Sequence, residues 1–424
     1  MITTSMHPFV RIFLSYSLFK IVGMGLSVIY VFYLSSLLTA DMLGVYYLTI
    51  TIISLAMVIS RLGFDTLIVK EVSKYIDNKR VVEVISILKY ANRRILGLSI
   101  ILIILLIVSS KELAFFLIDD HGYNYSIIVV SGVLYFYNMV FIYSESFKAI
   151  GELNLSVVFP SILFPLMNII GVSIFFPLFG EIGIFVSVSV TVVVMYILSH
   201  FLFYFKLNKK RSGIESYSKC ESHSIPYNFY LISLSNYAFA SVDTLTLGLL
   251  ADNSDVGIYN ILLRVVMPFS VLLLIVNNIF MRNFSIWHSN GEAEKCISMY
   301  SKLVKLSFTV GAPIFVFIVF FRIEILSFFG QAYAVGAEAL IVLSFGCFAM
   351  LATGPSAAIL MMTGHEDKYK RIVINAGLVN ILLSIALIYE YGLIGAVFST
   401  SASLIFKNTM SFLNARRYIG IKLF

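Results

Sequence analysis

LTADMLGVYYLTI, residues 38–50, has a counterpart in LADNSDVGIYNILL, residues 250–263. Gly44-x-Tyr46 in the first stretch returns as Gly257-x-Tyr259 in the second, 213 positions later. Further out, Gly151 in AIGELN returns as Gly364 in MTGHED at the same distance. Gly180-x-x-Gly183 returns as Gly392-x-x-Gly395 at a distance of 212. One such pair would mean little, because Gly-x-Tyr is common. Three ordered matches at one offset, half the length of a 424-residue chain, point to one fold unit present twice.

The unit is a membrane unit. The chain is 59% hydrophobic and 12% charged, with a mean hydropathy of +0.94. Soluble domains carry about 25% charged residues, and a soluble chain of this length could not hide so much apolar surface. The net charge of +7 does not indicate a nucleic-acid partner, because the basic residues fall between apolar runs. Cys220, Cys296 and Cys347 show no C-x-x-C spacing, so neither a disulfide framework nor a metal site is expected. The first apolar run, 13–38, is too long for a signal-peptide core and reads as an uncleaved first span.

Apolar runs fall near 13–38, 43–60, 95–109, 125–144, 155–178, 182–205, 227–250, 256–280, 303–321, 336–362, 372–389 and 391–412. Each approaches the ~20 residues a bilayer core demands, the third only by borrowing from its flanks. With both termini inside, alternate loops hold 25 Lys and Arg residues on the inner side and two, Lys111 and Arg322, on the outer side. That asymmetry fixes cytoplasmic termini and an even number of crossings. The expected fold is therefore an all-α polytopic membrane protein of about 12 transmembrane helices. Six per half leaves both halves in one orientation, related by a pseudo-two-fold along the membrane normal. The polar stretch KLNKKRSGIESYSKCESHSI, 206–225, joins an N-terminal lobe, 1–205, to a C-terminal lobe, 226–424. No outer loop exceeds about fifteen residues, which leaves little room for an outward catalytic domain.

There is no P-loop, H-E-x-x-H, G-x-S-x-G or G-x-G-x-x-G, and the six histidines are scattered. An ATP-driven engine, a hydrolase and a resident cofactor are not expected. Paired membrane halves are instead the usual build of alternating-access transporters.

Four stretches, LTADMLGVYYLTI (38–50), SRLGFDTLIVKEVSKY (60–75), DTLTLGLLADNSDVGIYNILLRVV (243–266) and LATGPSAAILMMTGHEDKY (351–369), together resemble polysaccharide flippases. These belong to the multidrug/oligosaccharidyl-lipid/polysaccharide exporter superfamily, and the likeness is greatest to Wzx-type O-antigen flippases. It covers nearly the whole chain in order, although its glycine-and-aromatic patterns name no substrate. The resemblance implies two lobes around a cationic cavity and outward passage of undecaprenyl-pyrophosphate-linked sugars across a bacterial inner membrane. It also implies membrane lipids and other polysaccharide-assembly membrane proteins as partners. The major facilitator superfamily shares the twelve-helix layout, but 61–80 lacks its G-x-x-x-D-R-x-G-R-[KR] pattern. A cation-coupled exporter of small amphipathic compounds and a membrane polysaccharide polymerase stand as alternatives.

An ionisable residue inside a span is a functional candidate by default. Lys20 and Arg61 each lie about twenty positions from the turn near residues 40–41, roughly 30 Å along a helix, and so at matching depth toward the cytoplasm. Ser17, Lys20, Ser27 and Tyr30 form a polar stripe. The two cations could floor a cavity that meets pyrophosphate, or they could snorkel to head groups. Asp65, four residues after Arg61, could pair with it. Asp243 and Arg264 lie about ten residues either side of the turn near 253–254, level with each other and placed for an ion pair, either static or part of the translocation path. Asn138 and Glu145 share a face with Phe141, where aromatics and amides could hold sugar rings or simply face lipid. Pro160, Pro165, Pro268, Pro313 and Pro355 mark kinks or hinges.

Overall fold

A chain immersed in lipid must satisfy every backbone N–H and C=O within itself, and helix is how this sequence does so. The computed structural model describes all residues except 1–5, 78–79, 119–120, 210–226, 290–291, 363–364 and 420–424. Among the described residues every element is helical. Nine helices are long and apolar enough to cross a membrane, or ten if the bent pair Asn124–Ser131 and Leu134–Ala149 counts as one span. The last of the nine, Asp367–Arg417, holds two of the expected runs and is broken by Gly392 at φ 53°, ψ −127°. The expected seventh run falls on the 24-residue helix Tyr227–Leu250. The short third run does borrow from its flank: its helix is the 28-residue Val81–Val108.

Two compact units make up the chain. The first comprises Met1–Tyr33 and Leu48–Tyr237. It holds most of α1 (Met6–Leu37) and α2 (Ala40–Arg61), then α3 (Phe64–Asp77), α4 (Val81–Val108), α5 (Ser110–Ile118), α6 (Asn124–Ser131) and α7 (Leu134–Ala149). It continues through α8 (Leu153–Val157), a π-helical turn at Val158–Leu163 carrying Pro160, α9 (Phe164–Phe179) and α10 (Ile182–Lys209). Its core is built from Phe64, Ile87, Ile142, Phe147, Phe159 and Phe203, all fully buried.

The second unit comprises Leu34–Tyr47 and Ala238–Phe424. It holds most of α11 (Tyr227–Leu250), then α12 (Asn253–Ser289), α13 (Ala293–Phe320), α14 (Arg322–Phe329), α15 (Ala337–Ala352), α16 (Ser356–Met362) and α17 (Glu366–Ile419). Val276, Tyr300, Val304, Leu360 and Phe412 form part of its core. The inclusion of Leu34–Tyr47 departs from a cut at 205 or 226, and the repeated glycines explain it. A Cβ on Gly44 would overlap the carbonyl of Asn253, and a Cβ on Gly257 would overlap the carbonyl of Ala40. Residues 40 and 253, like 44 and 257, are 213 apart, so each contact is the image of the other.

The other repeat is also structural. Gly180 (φ 59°, ψ −139°) ends α9, and Gly392 breaks α17 with nearly the same backbone angles. Both lie where an L side chain is strained. A Cβ on Gly183 would overlap the Phe175 carbonyl, and one on Gly395 would overlap that of Leu387, 212 residues on. Ser187 Oγ donates to the Asn168 carbonyl at 3.3 Å, and Ser399 Oγ donates to the Asn380 carbonyl at 3.3 Å. For the third pair, Gly151 has φ 83°, while Gly364 lies outside the described residues.

Candidate functional site

Arg61 ends α2 and is followed by a turn in which Leu62, a non-glycine residue, has φ 51° and Gly63 has φ 77°. Such a left-handed pair costs energy and is kept where the surroundings over-determine it. Arg61 itself is 8% exposed. Its guanidinium lies over the Phe141 ring, 4.1 Å from the centroid. Its Nε and Nη1 are buried without a hydrogen-bond acceptor. Asp65 acts on the guanidinium electrostatically but accepts from neither nitrogen; its Oδ1 takes the Thr66 N–H at 2.9 Å.

Arg61 lines a cavity of about 260 Å³. Tyr137, Phe141, Phe164 and Tyr237 give it aromatic walls, and Ser54 and Ser144 add hydroxyls. Pro160, on the π turn, completes one side. π turns inside α-helices are frequent at functional sites. Lys20, half-buried on α1, donates to Ser161 on that same turn at 3.3 Å. Glu145 pairs with Lys148, three residues on, and acts electrostatically on both Lys20 and Arg61. One neighbourhood therefore holds three cations, Lys20, Arg61 and Lys148, and two carboxylates, Asp65 and Glu145. The surplus is positive, and the most buried of the cations has unmade hydrogen bonds.

Asn138 does not join it. This residue is fully buried, and its amide donates to Ser60 Oγ at 2.7 Å and Ser99 Oγ at 3.4 Å, tying α7 to α2 and α4. Its neighbours Tyr137 and Phe141 reach the cavity instead.

In the second unit Asp243 and Arg264 are not paired with each other. The buried Asp243 carboxylate is surrounded by neutral donors on α12 and α17. Ser384 Oγ donates to Oδ1 at 2.5 Å, and Thr400 Oγ1 donates to Oδ2 at 2.7 Å. Asn380 Nδ2 donates to Oδ2 at 3.0 Å, and the Tyr259 hydroxyl is 3.4 Å away. The buried Asn380 Oδ1 has no partner of its own. Arg264 acts on the buried Tyr47 hydroxyl instead. Spacing from a turn gives an expected depth, but depth fixes nothing about rotation around the helix axis.

The repeat makes this cluster more telling. Subtracting the 212–213 offset from Asp243, Ser384 and Thr400 gives Tyr30, Val172 and Val188, all buried. The helix framework is shared between the halves, as are Tyr259 (Tyr46) and Asn380 (Asn168), while the carboxylate and the Ser384 and Thr400 hydroxyls belong to the second half alone.

Residues 9–283 match the family described as polysaccharide biosynthesis protein. The chain belongs to this family. Three solved structures share the fold of this polysaccharide biosynthesis protein. An inward-facing multidrug resistance MATE family transporter of the MOP superfamily superposes with a TM-score of 0.75 at 13% identity, covering 93% of this chain and 94% of its own. The lipid II flippase MurJ, in an inward closed conformation, gives 0.74 at 14%, over 95% and 87%. A MOP superfamily transporter from Pyrococcus furiosus, described as having a binding pocket of reversed polarity, gives 0.69 at 15%, over 97% and 96%. No curated protein matches by sequence.

One cation of this polysaccharide biosynthesis protein was missed by sequence reasoning. Lys407 is one of the 25 basic residues assigned to the inner side, but α17 continues to Ile419 and holds Lys407 over the Phe239 ring, 4.1 Å from its centroid. The last apolar run ends at 412, so Lys407's place inside it was the available signal.

Proposed function

We propose that this protein is a flippase. It moves undecaprenyl-pyrophosphate-linked oligosaccharide units from the cytoplasmic to the outer face of the bacterial inner membrane, for O-antigen or another surface polysaccharide. One observation carries this reading: the buried Arg61 guanidinium, with two nitrogens lacking acceptors, lines an aromatic cavity. A permanently charged, forked donor suits a phosphate oxygen, and aromatic walls suit sugar faces. Lys20 adds positive charge for the second phosphate, while Lys148 offsets Glu145. The polysaccharide biosynthesis family supports the reading, as does a fold shared with a protein named as a lipid II flippase.

The protein acts by alternating access without a covalent step. Both termini face the cytoplasm, and two six-helix lobes, 1–205 and 226–424 joined by 206–225, are related by a pseudo-two-fold along the membrane normal. Asp243 serves as the coupling group. A buried carboxylate among neutral donors gains most from an arriving positive charge, whether a proton or a monovalent cation. Arg264 belongs to the same path. Cation-coupled export of small amphipathic compounds, the other reading, suits the first unit poorly where the compound is cationic, because Arg61 would repel it.

The test is a deletion strain scored for surface polysaccharide and for lipid-linked repeat units held at the cytoplasmic face. Restoration by the wild-type gene but not by Arg61→Gln supports the assignment. Normal surface polysaccharide in the deletion strain removes it.

A further inference from the structure

A second, larger cavity lies on α4 and belongs to no part of the site above. Its volume is about 690 Å³. One end is formed by Tyr90, Arg93 and Arg94, and the other by Gly97, Leu98 and Ile101. Arg93 and Arg94 are exposed, and among the described residues neither has a carboxylate partner. Arg94 lies 5.4 Å from the Tyr90 ring centroid. Beyond the arginines, Leu96, Ile100, Ile101, Ile104 and Leu105 are 39–60% exposed, an apolar face that only lipid can solvate. A Cβ on Gly97 would have nothing within 4 Å, so the groove is open at its middle.

We propose that this groove docks an anionic phospholipid of the surrounding bilayer. The two guanidiniums stand where the apolar stretch of α4 begins, the depth of lipid phosphates. They clamp the phosphodiester, and an acyl chain runs along Gly97, Leu98 and Ile101. A free phosphate would use only the basic end and leave the trough empty. A zwitterionic lipid would fill the trough, but its choline or ethanolamine offsets the attraction. Leu62 also lines this groove, while Arg61 lines the first cavity. Successive residues of one strained turn thus face two different pockets, and a lipid in the groove packs against the turn that holds Arg61.

Native mass spectrometry of the purified full chain, titrated with dioleoyl-phosphatidylglycerol and with dioleoyl-phosphatidylcholine, tests the site. One preferred phosphatidylglycerol adduct is expected. Each basic residue near a membrane surface attracts anionic lipid by about 1 kcal/mol, so R93Q/R94Q should weaken that adduct about tenfold or more. R93K/R94K should restore much of it. Gly97→Trp keeps both charges and blocks the trough, and it too should weaken the adduct. Arg61→Gln should leave it unchanged, which separates this site from the flippase assignment. Equal binding of the two lipids overturns the proposal, as does phosphatidylglycerol binding within twofold of wild type in R93Q/R94Q or in Gly97→Trp. Displacement of phosphatidylglycerol by a polyprenyl diphosphate at lower concentration would make the groove a substrate station and overturn the bulk-lipid occupant.

Discussion

Arg61 is costly for the fold. Each buried donor left unmade costs about 1–3 kcal/mol, and this side chain has two. Arg61→Gln should therefore leave thermal stability equal or raise it, while export falls at least tenfold. Arg61→Lys should retain only part of the activity, since an ammonium lacks the planar fork. A variant that lost stability and kept export would make Arg61 a structural residue. At Lys20, reversal to Glu should abolish export and Lys20→Arg should largely keep it, with protein level unchanged in both. Normal export by Lys20→Ala at native expression would leave Lys20 an anchor only. The Asp243→Arg with Arg264→Asp exchange is expected to fail, because it sets a guanidinium against Asn380, Ser384 and Thr400, which offer Asp243 donors. Each buried donor or acceptor of this set left unsatisfied costs about 1–3 kcal/mol, readable as a drop in unfolding temperature. Full activity in the exchanged protein would contradict the neutral cage. These contacts were not legible in the sequence. Spacing gave the depth of Asp243 and Arg264, but Asp243's partners Asn380, Ser384 and Thr400 lie 137–157 residues away. Asn138 failed for the same reason: nothing local announces that Ser60 and Ser99 will face it.

Elements were more legible than contacts. Apolar length alone marked the helices, since a run of about twenty apolar residues in lipid bonds its backbone within itself as a helix. Glycine marked where they approach or break. Gly44→Val and Gly257→Val should each destabilise the second unit by about 1–3 kcal/mol, because either side chain meets a carbonyl that cannot retreat without bending a helix. Gly25→Ala and Gly377→Ala are the controls, with nothing within 4 Å of the added carbon. Equal unfolding temperatures across all four variants in detergent would show that the repeated glycines carry no packing load. Length did not reveal the π turn at Val158–Leu163. Pro160 was read there as a kink, yet the turn also carries Ser161 to Lys20 and Pro160 to the Arg61 cavity. Elements of matching sequence also diverge in chemistry. Asn168 and Ser187 repeat as Asn380 and Ser399, but only the second pair faces a carboxylate.

At the scale of the molecule, Arg61 and its cavity lie on the first unit and Asp243 on the second, so the proposed function puts substrate binding and energy input on different units. A gradient can drive a substrate only if the coupling charge binds one conformation better than the other, and the coupling is then reciprocal. The chain has no nucleotide loop, so transport of a lipid-linked oligosaccharide in sealed vesicles should proceed without ATP and accelerate under a proton or monovalent-cation gradient. Asp243→Asn keeps the size of the side chain and removes its charge. It should abolish the response to the gradient while leaving substrate-induced thermal stabilisation, about 2.7 kcal/mol at a hundredfold excess over Kd, intact. Arg61→Gln should do the reverse, losing the stabilisation by substrate while the protein still responds to the ion. If Asp243→Asn vesicles keep their gradient response, the coupling group lies elsewhere. If both variants lose both properties together, the two units do not divide the work, and the asymmetry between Asp243 and Tyr30 has another cause.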